Sequence, residues 1–281
     1  MDHSSGHLNL RTADLDTPAL LVDLDQLQAN ITRIAGTCQK LGVSWCPHIK
    51  GIKTVEIVRM ALAAGAIGIT CAKLGEAEVM AAAGIRDILI ANQIVGAAKI
   101  SRLMALLDRA QVIVAIDDPL NVTQLAQAAR QSGKTLGVAI EVNIGMNRAG
   151  VEPGTPVVAL AGEVAKHEGL RLAGLMGWES HAVGIADANE KAKTVAAAIA
   201  KLTGSAKACR EAGHRIDVVS CGGTGTFPHC AEQPGVTEVQ VGGGIFSDEH
   251  YRTHYNFDYP CALTILSTVT SRPPAPERLW Y

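Results

Sequence analysis

The sequence has no excess of basic charge, no long apolar run and no apolar leader, and each absence excludes a class of protein. Lysine and arginine together number 25 against 27 acidic residues, a formal charge of −2, unlike the basic balance of nucleic-acid binders. No uncharged apolar stretch reaches the roughly 18 residues of a membrane span, and residues 1–16 are too polar for a signal peptide. We therefore predict a cytoplasmic protein without nucleic-acid or membrane partners.

Paired cysteine spacings are also absent. The seven cysteines are odd in number, contain no CxxC pair and are scattered through the chain as Cys38, Cys46, Cys71, Cys209, Cys221, Cys230 and Cys261. Disulfide frameworks normally show an even count, so reduced thiols are the expected state.

Short β-branched runs alternate with alanine-rich segments of helical spacing, which is typical of βα units on a parallel sheet. Strands are predicted at residues 20–23, 44–47, 68–72, 88–91, 112–116, 137–142, 172–176, 218–221 and 238–241. Helices are predicted at residues 24–41, 54–64, 75–83, 97–107, 119–132, 156–168 and 189–212.

This spacing predicts an α/β fold, a closed (β/α)₈ TIM-type barrel. The length of 281 residues, with 48% hydrophobic and 19% charged residues, fits a barrel of roughly 230–250 residues plus a small appendage. An open doubly wound sheet is the alternative, although no GxGxxG follows the first predicted strand, where a dinucleotide fold carries it.

The pattern changes after Gly244, where an aromatic and polar stretch precedes an alternating run at residues 262–270. We therefore predict a polar N-terminal arm at residues 1–16, the barrel at 17–250, and the remnant of a truncated C-terminal β-domain at 251–281. Because a lone strand has little to bury against, this run is expected to pair with the N-terminal segment unless the chain is truncated.

Polar side chains follow many of the predicted strands, at the end of a barrel where reactive groups sit. Lys50 follows the second strand, and a glycine-rich CGGTGT run at residues 221–226 begins at the end of the eighth. A lysine amine can hold an aldehyde cofactor as a Schiff base if burial and nearby cations depress its pKa. Glycine amides and threonine hydroxyls suit a dianionic phosphate. Together they indicate pyridoxal phosphate.

Four motifs follow one another along the chain: TPALLVDL at residues 17–24, PHIK at 47–50, NIGMNRAGV at 143–151 and CGGTGT at 221–226. Over about residues 17–272 the sequence thereby resembles the D-threonine aldolase and D-serine dehydratase family, fold type III pyridoxal-phosphate enzymes that share the barrel of alanine racemase. The resemblance implies a lyase that cleaves a D-β-hydroxy-α-amino acid to glycine and an aldehyde. D-serine dehydratase-type elimination, racemisation and a non-catalytic cofactor carrier stay open as alternatives.

The resemblance also implies roles for individual residues. Lys50 of the PHIK motif is the cofactor lysine, with Lys53 as a rival, and His48 is placed to tune its pKa. Arg148 is expected to bind the phenolic oxygen of the cofactor, where an always-charged fork suits a phenolate. Trp178 is expected near the cofactor ring, and His181 as a general base. The phosphate cradle is assigned to Gly222, Gly223, Thr224, Gly225 and Thr226, with Gly243 and Gly244 closing it.

Each of these assignments has a structural alternative: a lysine capping a strand end, ordinary tight turns, a loop arginine, a core tryptophan and a solvent histidine. The family is also expected to use a divalent metal, held by a C-terminal β-domain that this chain does not reach, so no residue is assigned as a metal ligand. His250 and His254 form an i, i+4 pair but are read as loop histidines. A homodimer is expected from relatives, and a monomer is the alternative.

Overall fold

The computed structural model describes residues 10–255 and 257–271, which form parallel strands alternating with helices. Strands are β1 Ala19–Val22, β2 Ser44–Trp45, β3 Ile69–Cys71, β4 Asp87–Gln93, β5 Gln111–Ile116, β6 Leu136–Glu141, β7 Leu170–Met176, β8 Val218–Cys221, β9 Glu238–Val239 and β10 Leu263–Leu266. Helices are α1 Leu24–Leu41, α2 Val55–Ala63, α3 Leu74–Ala82, α4 Ala97–Leu106, α5 Pro119–Gln131, α6 Thr155–Ala165, α7 Ala188–Glu211, α8 Phe227–Ala231 and α9 Glu249–His254.

Eight of these strands form one parallel sheet in the order β2-β9-β8-β7-β6-β5-β4-β3. The two ends of that order meet, because the amides of Ile67 and Thr70 donate to the carbonyls of Trp45 and Pro47, both at 2.9 Å. A parallel bridge between His48 and Thr70 completes the contact. The sheet is therefore a ring with helices outside it, and the predicted (β/α)₈ TIM-type barrel is confirmed.

Local sequence signals explain where the helices begin and end. Asp23 accepts the Gln26 amide at the start of α1, and Gly42 ends that helix with φ 69°, a conformation that glycine adopts without strain. Asp118 caps α5 in the same way, and Pro119 follows it at the first helical position. All six residues of β6 are buried, as expected for a parallel strand covered on both faces.

The first predicted strand lies outside the barrel, contrary to its assignment as a barrel strand. β1 pairs with β10 in a separate antiparallel sheet, with Ala19 opposite Leu266 and Val22 opposite Leu263. The run at 262–270 therefore pairs with the N-terminal segment, one of the two outcomes expected for it. Residues 1–9 of the predicted arm and residues 272–281 of the predicted remnant lie outside the described residues.

Inside the ring, small side chains leave room at the carboxyl ends of the strands. Ala115, Ala139 and Met176 form a buried cluster separate from the main core, with Ala91 packed against it. Side chains two residues apart on a strand share a face, so Glu141 follows Ala139 into the ring. Among the described helices, none has the length and apolar character needed to cross a bilayer.

Gly174 marks the tightest contact between two barrel strands, since a Cβ added there would lie 1.9 Å from the carbonyl oxygen of Val218. We expect Gly174→Ala to lower the free energy of unfolding by about 1–3 kcal/mol, because β7 and β8 must separate to admit the methyl group. Gly162, inside α6, has open space around it, so Gly162→Ala should instead stabilise by about 0.5–1 kcal/mol. Denaturant unfolding measures both; equal effects of the two substitutions would contradict this account.

Candidate functional site

A cavity of about 560 Å³ opens at the carboxyl ends of the barrel strands. This volume lies within the roughly 300–1,000 Å³ of small-ligand sites. Its lining brings together residues predicted from widely separated motifs: His48, Lys50, Arg148, Trp178, Gly222, Gly223, Thr224, Gly225 and Gly243. Lys53 is not part of the lining and instead forms an ion pair with Glu76 at 3.8 Å.

Lys50 reaches the cavity from a single 3₁₀ turn, Ile49–Gly51, just after β2. Its amide donates to Nδ1 of His48 at 3.4 Å, which fixes that nitrogen of the ring as an acceptor. Gly242 allows this loop to approach the segment that follows β9, because a Cβ there would lie 2.0 Å from the carbonyl oxygen of His48. The turn after the short strand β2 therefore places Lys50 beside the two glycine-rich runs.

Burial and positive charge favour the neutral forms of both basic groups after β2. Burial, and then the charge of Arg148, lowers the pKa of Lys50, although Glu76 opposes the shift. Burial, followed by the charges of Lys50 and Arg148, lowers the pKa of His48 to about 3. His48 is therefore a neutral imidazole near pH 7, and Lys50 has a larger share of free amine than an ordinary lysine.

The Trp178 ring contacts both cationic side chains of the cavity. Lys50 Nζ lies 4.6 Å from the ring centroid and Arg148 Cζ lies 5.1 Å from it. Arg148 also pairs with buried Glu141 at 3.4 Å, and Glu141 accepts a hydrogen bond from Gln93 at 2.7 Å. These contacts place both Lys50 and Arg148 beside the Trp178 ring.

Two glycine-rich segments, residues 222–225 and 242–244, lie side by side, and together we call them the cradle. The amide of Gly244 donates to Thr224 Oγ1 at 3.0 Å, which joins the runs directly. A Cβ on Gly243 would lie 3.1 Å from that oxygen, and one on Gly223 would lie 3.0 Å from Trp178 Nε1. Side chains on these residues would fill the cradle.

A carboxylate that the sequence analysis did not assign holds the base of the cradle. Glu179 is completely buried and accepts hydrogen bonds from the amides of Gly222 and Gly223, each at 3.3 Å. The Thr226 hydroxyl also donates to it, at 2.5 Å. Gly222, with φ 79°, makes the turn that aims these amides at Glu179.

Three of the predicted site residues lie away from the cavity lining. Thr226 is buried and its hydroxyl donates to Glu179, while Gly244 is a cradle residue outside the cavity lining whose amide donates to Thr224 Oγ1. The His181 ring packs over Gly145, where an added Cβ would lie 2.7 Å from its Cε1. The role of His181 as a general base stays a prediction.

The cavity also contains residues that motif reasoning missed, namely Asp248, Tyr251 and Gln240. Tyr251 comes from α9, and its hydroxyl bonds to Thr224, while burial raises its pKa. The aromatic composition of residues 245–255 was the only sequence feature that could have indicated this part of the cavity lining. His250 and His254, which were predicted to be loop histidines, instead lie on α9, and the centroids of their stacked rings are 4.5 Å apart.

Comparison with known proteins agrees with this arrangement. A family model described as "Alanine racemase, N-terminal domain" matches residues 22–250. The chain belongs to this family. A "D-threonine aldolase" from Arthrobacter sp. is 35% identical over 271 residues, which cover 95% of this chain and 71% of the relative. The family resemblance predicted from the motifs is thereby confirmed.

Two further relatives extend the comparison. A "D-threo-3-hydroxyaspartate dehydratase" from Delftia sp. (strain HT23) is 34% identical over 83% of this chain, which spans only 62% of the dehydratase. The crystal structure of D-threonine aldolase from Filomicrobium marinum superposes with a TM-score of 0.89 at 36% identity, covering 92% of this chain and 71% of that one. The chain therefore matches most, but not all, of the length of each relative.

The charge of Arg148 makes a testable contribution to the pKa of Lys50. We expect Arg148→Met to raise that pKa and so move the pH midpoint of Lys50 acylation upward, slowing the reaction below the midpoint. Arg148→Lys keeps the charge and should change the midpoint less. A neutral acylating reagent, followed by peptide mass spectrometry across a pH series, measures this; an unchanged midpoint in Arg148→Met would show that the charge has no such effect.

Proposed function

We propose that this protein binds pyridoxal phosphate through Lys50 and acts as a lyase of the D-threonine aldolase type on a D-β-hydroxy-α-amino acid. One observation carries the proposal: the Lys50 amine, Arg148 and the glycine cradle meet around a single cavity. The similarity to proteins named as D-threonine aldolases supports the substrate class.

The donors of the cavity fit the phosphate of this cofactor. Thr224, Gly225 and Gly243 line the cavity, and within the described residues their amides have no hydrogen-bond acceptor. Backbone amides without partners cost free energy unless a ligand or water satisfies them, and clustered amides favour an anion. Gly222 and Gly223 contribute differently, because Glu179 already accepts from their amides and so fixes the cradle.

The remaining side chains have separable tasks. When bound, the cofactor supplies an electron sink for negative charge that develops at the substrate Cα. Burial, and then the charge of Arg148, lowers the pKa of Lys50, which increases its share of the neutral amine, the form that attacks an aldehyde. Arg148, oriented by Glu141, can place its charged fork against a phenolate oxygen. Trp178 forms an apolar wall that the flat face of a ring can contact.

Elimination is the second candidate reaction, because a relative of similar identity is named as a dehydratase. We also propose that a divalent metal takes part, as the family resemblance implies. Within the described residues, the one group of three metal-ligating side chains lies beneath the cradle and not at the cavity mouth.

Removing the Lys50 amine tests the cofactor assignment. We expect wild-type protein incubated with pyridoxal phosphate to gain a visible absorption band that borohydride abolishes, and Lys50→Ala to lack that band because the covalent link is lost. Lys53→Ala is the matched control and should keep it, since Lys53 lies outside the cavity lining. Borohydride fixation at a different lysine, located by peptide mapping, would disprove the assignment.

The reaction is tested with D-threonine and cofactor-loaded protein, with and without Mn²⁺. We expect glycine and acetaldehyde in equal amounts, and a rate at least about 1,000-fold lower for Lys50→Ala. L-Threonine is the control for stereochemistry. 2-Oxobutanoate and ammonia as the products would instead establish elimination, and a loaded protein that converts neither isomer would favour a carrier over a lyase.

A further inference from the structure

Three metal-ligating side chains meet beneath the cradle, outside the proposed catalytic groups. They are Glu179 in the loop after β7, Cys221 at the end of β8, and Cys230 on α8. Their exposed fractions are 0%, 1% and 0%, and their ligand atoms all lie within 4.8 Å of one another. Three separate elements of the barrel thus converge on one point.

The charge of this cluster lacks a cationic partner. Throughout the described part of the chain, no lysine, arginine or histidine forms an ion pair with Glu179. Its hydrogen-bond donors are two backbone amides, the Thr226 hydroxyl and the Cys230 thiol, all neutral. A fully buried carboxylate is costly even when hydrogen bonded, so a cation at this point would be strongly favoured.

The donor set and spacing match a thiophilic ion. Zinc takes thiolate sulfur at about 2.3 Å and carboxylate oxygen at about 2.0–2.2 Å in a tetrahedral arrangement, which places ligand atoms just under about 4 Å apart. The observed upper limit of 4.8 Å needs only a small contraction. Cys221 also lines the cavity, so one of the three ligand groups borders the space from which an ion would enter.

We propose that Glu179, Cys221 and Cys230 form a binding site for a thiophilic divalent cation, with Zn²⁺ as the best match. Binding releases the two thiol protons to solvent as the two metal–sulfur bonds form. Two thiolates, one carboxylate and Zn²⁺ then carry a net charge of about −1, the same as one carboxylate and two thiols. Replacing the two thiol protons by Zn²⁺ therefore leaves the net charge of the buried site unchanged.

The site is linked to the cradle through Glu179. The same carboxylate oxygens that accept from Gly222 and Gly223 are the ones offered to the ion. A bound ion and the cradle amides therefore compete for these oxygens, so occupation of the site is expected to alter how firmly the cradle is anchored.

Cobalt titration of the purified, reduced full chain tests the site without cofactor or substrate. We expect wild-type protein to bind one Co²⁺ per chain with thiolate-to-cobalt charge-transfer absorption, which Zn²⁺ then displaces. Cys230→Ala and Cys221→Ala should each weaken binding by about 100-fold or more, since each removes one of three protein ligands. Cys209→Ala, which removes an equally buried thiol outside the cluster, should bind as wild type does.

Circular dichroism of each variant establishes that it is folded, and the Zn²⁺-dependent rise in Tm supplies a second reading, because a ligand that binds the native state stabilises it. The rise should occur in wild type and in Cys209→Ala and be lost in Cys230→Ala. Glu179→Gln should keep the thiolate absorption but weaken binding. Absence of that absorption in wild type, or unaltered binding by Cys230→Ala, would mean that the cluster is only a hydrogen-bonded part of the core.

Discussion

The closure of the barrel at β2, one of its two shortest strands, is the constraint on which the rest of the site depends. β2 has two residues, yet it pairs with β9 on one side and meets β3 on the other. Gly242 permits this closeness, because any side chain there would collide with the backbone of His48. Lys50, two residues after His48, therefore lies beside the cradle. A looser closure would separate the Lys50 amine from the cradle, whatever residues each contained.

Local patterns predicted most of the architecture because the signals for these elements are themselves local. The helix at residues 24–41 was predicted with its observed bounds, between the capping Asp23 and the left-handed Gly42. The strand at residues 218–221 was also predicted with its observed bounds. The strand predicted at residues 20–23 was misplaced for the same reason: a short apolar run looks the same in a barrel strand and in a separate two-stranded sheet. Only its partner, β10, distinguishes them.

The motifs predicted which residues face the cavity better than they predicted how those residues are held. Lys50, Arg148, Trp178 and most of the cradle were within reach of sequence reasoning, because each follows a strand end. Glu179 was not, since its partners lie 43, 44 and 47 residues further along the chain. No residue next to Glu179 in the sequence indicates that its hydrogen-bond donors come from the segment after the next strand, β8.

The small sheet of β1 and β10 has a consequence for how the chain reaches its native state. Leu20 pairs with Ile265. The backbone hydrogen bonds of β1, near the start of the described residues, therefore form only when β10, near their end, is available. Pairings this distant form late, after contacts between neighbouring βα units. During synthesis the barrel strands emerge and can associate while residues 19–22 remain unpaired. The sheet therefore assembles only once residues 263–266 have left the ribosome.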